Sequence, residues 1–266
     1  MYNPQTVQIE LTSRCNSGCY YCRRTWDKSL KIGDMGFNLF TDIIDKIKTP
    51  VKIKLSGAGE SPLHPRYIDA LKYIKGKGHF IWQITNGQLM SGKIADAVLS
   101  YVDKVSFSID DCNAERYNKI RRGLDFETVI TNLKYFIKNK SNKTKLSVET
   151  ILTEENDKEE IELFFRSLGV PVRFAGYVEP GKSDCLYKTA SKPVTCRGNW
   201  IYKSMFIRHD GKVLLCCRDV GDYVLGDIRD GDIEGIYNNE NFERVRESLK
   251  SGVNYPSICD YCQGGS

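Results

Sequence analysis

The first two-thirds of the chain alternate between two hydrophobic periods. Short runs rich in β-branched and aromatic residues occur at 7–11, 51–55, 80–84, 104–109, 145–152 and 170–177, and each predicts a strand. Between them the spacing is helical. In "FNLFTDIIDKI", Phe37, Phe40, Ile43, Ile44 and Ile47 form one apolar stripe, and Ile161, Phe164, Phe165 and Leu168 form another. Six β-α alternations predict an α/β fold with a parallel sheet covered by helices. Functional groups of such folds gather at the C-terminal edge of the strands, whether the sheet is open or curled into a barrel.

After about Pro180 the rhythm changes. "MFIRHDGKVLLCC" reads as a β-hairpin whose Asp210-Gly211 pair suits a tight turn, and a helical run follows at 242–249. The boundary is expected near "EPGKSD", dividing the chain into residues 1–183 and 184–266. A length of 266 residues accommodates one large domain and one small one.

The net charge of +5 is spread along the chain without a Lys/Arg block. That pattern predicts a solvated basic surface rather than a nucleic-acid groove, and leaves an anionic substrate open. No signal-peptide pattern and no bilayer-length apolar run is present, so a cytoplasmic protein without a membrane partner is expected. Ten cysteines in that setting read as metal ligands or catalytic groups rather than disulfides.

Three of them stand in "CNSGCYYC", directly after the first strand: Cys15, Cys19 and Cys22. Their spacing would also fit one face of a helix, but Asn16, Ser17 and Gly18 are poor helix formers. A loop that folds its thiolates inward onto metal fits better. Thiolates select zinc or iron–sulfur clusters, and no fourth ligand for a structural zinc lies nearby. A cubane needs one ligand per iron, so three cysteines leave one iron open to a small molecule.

This loop resembles the CxxxCxxC loop of the radical S-adenosylmethionine superfamily, which follows the first strand of a partial (β/α)6 TIM-like barrel. The resemblance implies a 4Fe–4S cluster whose open iron is chelated by S-adenosylmethionine, and cleavage of that cofactor to a 5′-deoxyadenosyl radical. It also assigns roles at the strand ends. Tyr21 takes the place of an aromatic that packs on adenine. "SGAGESP" resembles the family's GGEP loop, with Gly57 and Gly59 allowing close approach to the cofactor and Glu60 accepting from its ammonium group. Ser61 stands where the family has proline, with Pro62 one step later. "TNG" offers Asn86 as a polar contact, "SID" offers Ser108, and "YNKIRRG" resembles the segment with a carboxylate-binding arginine, assigned to Arg121 with Arg122 as a rival.

The tail carries a second set. "GKVLLC" ending at Cys216, Cys196 upstream, and the terminal "CDYC" of Cys259 and Cys262 resemble the Twitch domain, a short form of the SPASM extension. The resemblance implies one auxiliary 4Fe–4S cluster held by Cys196, Cys216, Cys259 and Cys262 in a small β-hairpin/helix domain. By strand alternation, Cys217 is expected to face away from it. A structural zinc ribbon could use the same four thiols.

Four protein ligands would saturate the auxiliary cluster and suit it to accept an electron. The expected function is therefore an oxidoreductase that dehydrogenates a small polar or sugar-derived substrate, as does an aminocyclitol dehydrogenase of similarly short architecture. A flavodoxin- or ferredoxin-like electron donor and a monomeric state are expected. The alternative is an epimerase or ribosomal-peptide maturase, with Cys185 in "KSDC" as hydrogen donor and Cys112 in "SIDDC" as the less accessible candidate. A rival of another class is a non-enzymatic zinc protein that binds nucleic acid.

Overall fold

The computed structural model describes residues 1–176, 196, 199–219 and 223–259. The expected boundary at 183/184, and with it Cys185 and Cys262, lies outside the described residues. Six strands and the helices between them come first: β1 (Thr6–Ile9), α1 (Arg23–Trp26), α2 (Phe37–Lys46), β2 (Lys52–Leu55), α3 (Tyr67–Gly76), β3 (Phe80–Thr85), α4 (Gly92–Tyr101), β4 (Lys104–Ser108), α5 (Ala114–Ile120), α6 (Phe126–Asn139), β5 (Lys145–Leu152), α7 (Lys158–Ser167) and β6 (Val172–Gly176). Each strand pairs in parallel with the next. This is the expected partial TIM-like barrel.

Alternation along the strands divides the sheet into two faces. Val7, Ile9, Ile53, Leu55, Ile81, Val105, Phe107 and Val148 are fully buried under the helices. The intervening positions carry Gln8, Lys54, Lys104, Ser106 and Ser147 beside Trp82 and Ile84, so the inner face is largely polar. Helix starts are set by side-chain caps where loops must be short: Asn113 accepts from Arg116 N, Asp125 from Thr128 N, and Asp157 from Glu159 N and Glu160 N.

The remaining elements are α8 (Trp200–Lys203), β7 (Ser204–Ile207), β8 (Lys212–Leu214), β9 (Val224–Asp227), α9 (Ile233–Tyr237) and α10 (Glu240–Ser251). The expected hairpin is β7–β8, antiparallel and turned at Gly211, whose φ of 87° suits glycine. Its placement is less simple than the sequence pattern predicts. β7 also pairs in parallel with β1, from Thr6↔Ser204 to Ile9↔Ile207, and the sheet order runs β6-β5-β4-β3-β2-β1-β7-β8-β9. The tail thus covers the β1 edge, which would otherwise present unpaired backbone groups, and buries Met205 and Ile207.

Among the described residues no helix is long and apolar enough to cross a membrane.

Candidate functional site

The three N-terminal cysteines lie on the loop after β1, at the C-terminal edge of the sheet. The loop is clamped by the end of α5 and the residues after it: Gly18 N donates to Arg122 O at 2.7 Å, and Tyr20 N donates to Ile120 O at 3.2 Å. Arg24 Nε pins it from the other side through Ser13 O at 2.8 Å. Cys19 is buried, 3.0 Å from Ser17 Oγ, while Cys15 and Cys22 are half-buried. Burial, reinforced by Glu60 and Cys19, pushes the Cys15 thiol up to about 11, and burial raises Cys22 as well. Metal loading must therefore displace protons from these thiols.

Among the described residues no three His, Cys, Asp or Glu side chains converge as ligands of a single metal ion. Three thiols on one loop without a fourth protein donor fit a cluster, in which each thiolate takes its own iron.

The expected contact residues surround this loop. Glu60 is buried and accepts from Thr85 Oγ1 at 2.5 Å and Asn86 N at 2.9 Å. Burial raises its carboxyl to about 7, although Thr85, Asn86 and Arg121 favour the charged form. Asn86 Nδ2 donates to Asn16 Oδ1 at 2.7 Å and approaches Cys15 Sγ at 4.0 Å. Gly57 and Gly59 have a local reason for lacking a side chain. A Cβ at Gly57 would overlap Glu10, and one at Gly59 would overlap the carbonyl oxygens of Thr12 and Arg14. The glycine-rich loop thus lies directly on the cysteine loop, fastened by Glu60 N to Arg14 O at 2.8 Å.

Arg121 is buried and forms a two-pronged pair with Asp110, Nε to Oδ2 at 2.7 Å and Nη2 to Oδ1 at 3.1 Å, with Nη1 4.0 Å from Cys19 Sγ. Burial opposes its charge, yet Asp110 holds its pKa above the usual guanidinium range. Arg122 contributes its backbone carbonyl to the loop. Tyr21 Oη donates to the same Asp110 at 2.6 Å, so one carboxylate orients both expected contacts. Burial raises the Tyr21 phenol well above its ordinary range. Ser108 closes β4, half-buried and opposite Glu149. The pattern "SIDD" points to Ser108, whereas Asp110 is the residue that joins the network. Only the acidic pair after a strand end hinted at it.

In the tail, Cys196, Cys216 and Cys259 line one apolar cavity, walled by Trp200 and Ile258. Cys217 lines it too, which corrects the expectation that it faces away. β8 ends at Leu214, so strand alternation no longer governs positions 216 and 217. Burial raises the Cys216 thiol well above its ordinary range, and Cys217 adds to this. Cys112 lies apart from both sets, near Glu160 and Arg116, with its thiol pushed up to about 11 by burial.

Residues 9–167 match the Radical SAM superfamily, and residues 196–263 match SPASM, described as an iron-sulfur cluster-binding domain. A tungsten-containing aldehyde ferredoxin oxidoreductase cofactor-modifying protein of Pyrococcus furiosus is 26% identical over 96% of this chain and 86% of its own length. A probable GTP 3',8-cyclase of Methanocaldococcus jannaschii is 28% identical over 65% of this chain and 59% of its own. Among solved structures, BtrN in complex with AdoMet and 2-DOIA aligns with a TM-score of 0.62 at 17% identity, covering 95% of this chain and 89% of that one. The enzyme anSMEcpe with bound AdoMet gives 0.75 at 18% identity, covering 98% and 86%. At these identities the likeness to solved structures is one of fold. The family match spans more than half the chain and includes the cysteine loop and the C-terminal ends of β1 to β5. The chain is therefore a member of the radical S-adenosylmethionine superfamily with a C-terminal SPASM/Twitch domain, an enzyme of S-adenosylmethionine and iron–sulfur clusters.

Proposed function

We propose that the chain dehydrogenates a small polar or sugar-derived substrate. When bound, S-adenosylmethionine and two 4Fe–4S clusters supply a hydrogen-abstracting radical and a one-electron acceptor. Cys15, Cys19 and Cys22 would hold the first cluster. Cys196, Cys216, Cys259 and Cys262 would hold the second. Glu60 and Arg121 are suited to the amino-acid end of the cofactor, Asn86 and Ser108 to its polar groups, and Tyr21 to its adenine. The substrate would lose a hydrogen atom, a proton and an electron, the sum of a two-electron oxidation.

The observation that carries this reading is the position of Trp200. Its ring walls the tail cavity lined by Cys196, Cys216 and Cys259, and also receives Lys54 Nζ from the inner face of the barrel at 4.9 Å. The tail thiols therefore adjoin the barrel interior, where an electron leaving a substrate has a short way to travel. The Pyrococcus relative's name, a cofactor-modifying protein, agrees with a small-molecule substrate. A flavodoxin- or ferredoxin-like protein would supply the reducing electron, and a monomer suffices for every residue named. The test is Cys259→Ala: it should retain uncoupled cleavage of S-adenosylmethionine and lose the oxidised product. Full product formation by a folded variant would overturn the reading.

A further inference from the structure

Away from the loop of Cys15, Cys19 and Cys22, the barrel carries a cluster of cations, one of which, Lys54, also faces Trp200 of the tail cavity. Lys52 and Lys54 on β2 and Lys104 on β4 all direct their ammonium groups at the Trp82 ring, at 6.0, 4.7 and 3.8 Å from its centroid. Lys104 also lines a pocket of about 480 Å³ at the starts of β4, β5 and β6, together with Lys140, Lys145, Ser147 and Arg173. Lys54 is only 8% exposed. Among the described residues none of Lys52, Lys54, Lys104 and Arg173 has a carboxylate oxygen within ion-pair distance.

Such convergence is costly. An indole ring attracts an ammonium group by about 0.5–2 kcal/mol and cannot neutralise three. Desolvated charges without counter-ions are unfavourable in proportion to their burial. Burial and the nearby Arg173 accordingly draw Lys104 down to about 8, with Glu149 offsetting part of the effect. Hydrogen bonds link the indole to the pocket wall: Trp82 Nε1 donates to Ser106 Oγ at 2.9 Å, and Ser106 Oγ lies 3.0 Å from Oγ of the pocket residue Ser147. A fixed indole, buried hydroxyls and unpaired cations make a preformed receptor for negative charge.

We propose that a phosphate-like oxyanion binds in this pocket, held by Lys104 and Arg173 with Lys54 behind them over Trp82. The anion supplies the missing counter-charge, and Ser147 lines the same space. The oxyanion is either free or a phosphoryl group on a larger molecule. Because binding is read without turnover, the inference stands apart from the dehydrogenase reading.

The experiment is calorimetric titration of the full, cluster-loaded chain at constant ionic strength with inorganic phosphate, pyrophosphate and ribose 5-phosphate. At least one should bind saturably, and Lys104→Met and Arg173→Gln should each weaken it by about tenfold or more, as expected for loss of a charged hydrogen bond. Lys93→Met, exposed in the first turn of α4 after the C-terminal end of β3, should leave it unchanged. Tighter binding of ribose 5-phosphate than of inorganic phosphate assigns the oxyanion to a larger molecule, and the reverse order assigns it to the free ion. Arg173 is exposed at a strand start, so its variant keeps the test valid if Lys104→Met fails to fold. Heats no different from those of sodium chloride, or affinities unchanged in both variants, would overturn the proposal.

Discussion

His209 Nδ1 lies 2.7 Å from Glu10 Oε1, and both side chains are buried although 199 positions separate them. The second oxygen of Glu10 accepts from Ala58 N at 2.6 Å. One carboxylate at the end of β1 therefore ties the β7–β8 turn of the tail to the glycine-rich loop of the barrel. His209→Ala would leave that oxygen with only a long contact to the backbone N–H of residue 209. An under-satisfied buried acceptor costs about 1–3 kcal/mol. The midpoint of chemical denaturation should fall accordingly; an unchanged midpoint would show that the contact does not couple the two halves.

The fit between the glycine-rich and cysteine loops yields a second test. In Gly59→Ala the new methyl meets backbone carbonyls of residues 12 and 14, which cannot swing aside as a side chain tip could. The variant should lose about four irons on anaerobic reconstitution, one cubane's worth, as Cys15→Ala should. Both should lose S-adenosylmethionine cleavage and keep the tail cluster's spectrum. Gly76→Ala, where a Cβ meets nothing within 4 Å, is the control. Full iron content in Gly59→Ala would contradict the packing account.

Cofactor affinity can be separated from cluster assembly. Glu60→Gln removes a charge without touching a thiol. Arg121→Met is best paired with Asp110→Asn, so that no buried carboxylate is stranded. Each loss of a charged hydrogen bond should weaken S-adenosylmethionine binding by about tenfold or more, while the visible spectrum persists. Equilibrium dialysis that finds wild-type affinity in both would remove Glu60 and Arg121 from the cofactor's amino-acid end.

Lys104 predicts a pH dependence of stability. In the folded chain it loses its proton near pH 8, drawn down chiefly by burial and then by Arg173, whereas an unfolded lysine does so near ~10.4. Between these values the unfolded state binds more protons, so this residue's contribution to stability rises with pH across that window. Without added anion, Lys104→Met should therefore be the more stable protein below pH 8, and the gap should narrow towards pH 10. Denaturation curves whose gap stays constant over that range would contradict the desolvated-lysine account.

The six parallel strands were legible because each carries an apolar run against one helical stripe, a local pattern that Val7, Ile9, Val105 and Phe107 obey in the structure. The β7–β1 pairing was not, since it joins Thr6 to Ser204 and no local period records a partner so distant. Cys217 misled for the opposite reason: a local rule was extended past Leu214, where the strand ends. Spacing located the N-terminal cysteines, and the family resemblance pointed to Glu60 and Arg121. Asp110 and His209 escaped it because their roles depend on contacts made in space, to Tyr21 and Arg121 in one case and to Glu10 in the other.

The central claim is the two-electron oxidation, and deuterium bookkeeping tests it most directly. Cluster-loaded protein is incubated anaerobically with S-adenosylmethionine, a reductant and candidate substrates deuterated at the reacting carbon, first in light water. Deuterium should pass into 5′-deoxyadenosine, with oxidised product forming in step. Repeated in heavy water with unlabelled substrate, no solvent deuterium should enter the reacting carbon, and Cys185→Ala should still make product. A product of unchanged oxidation state carrying one solvent deuterium, lost in Cys185→Ala, would contradict the account and make the enzyme an epimerase.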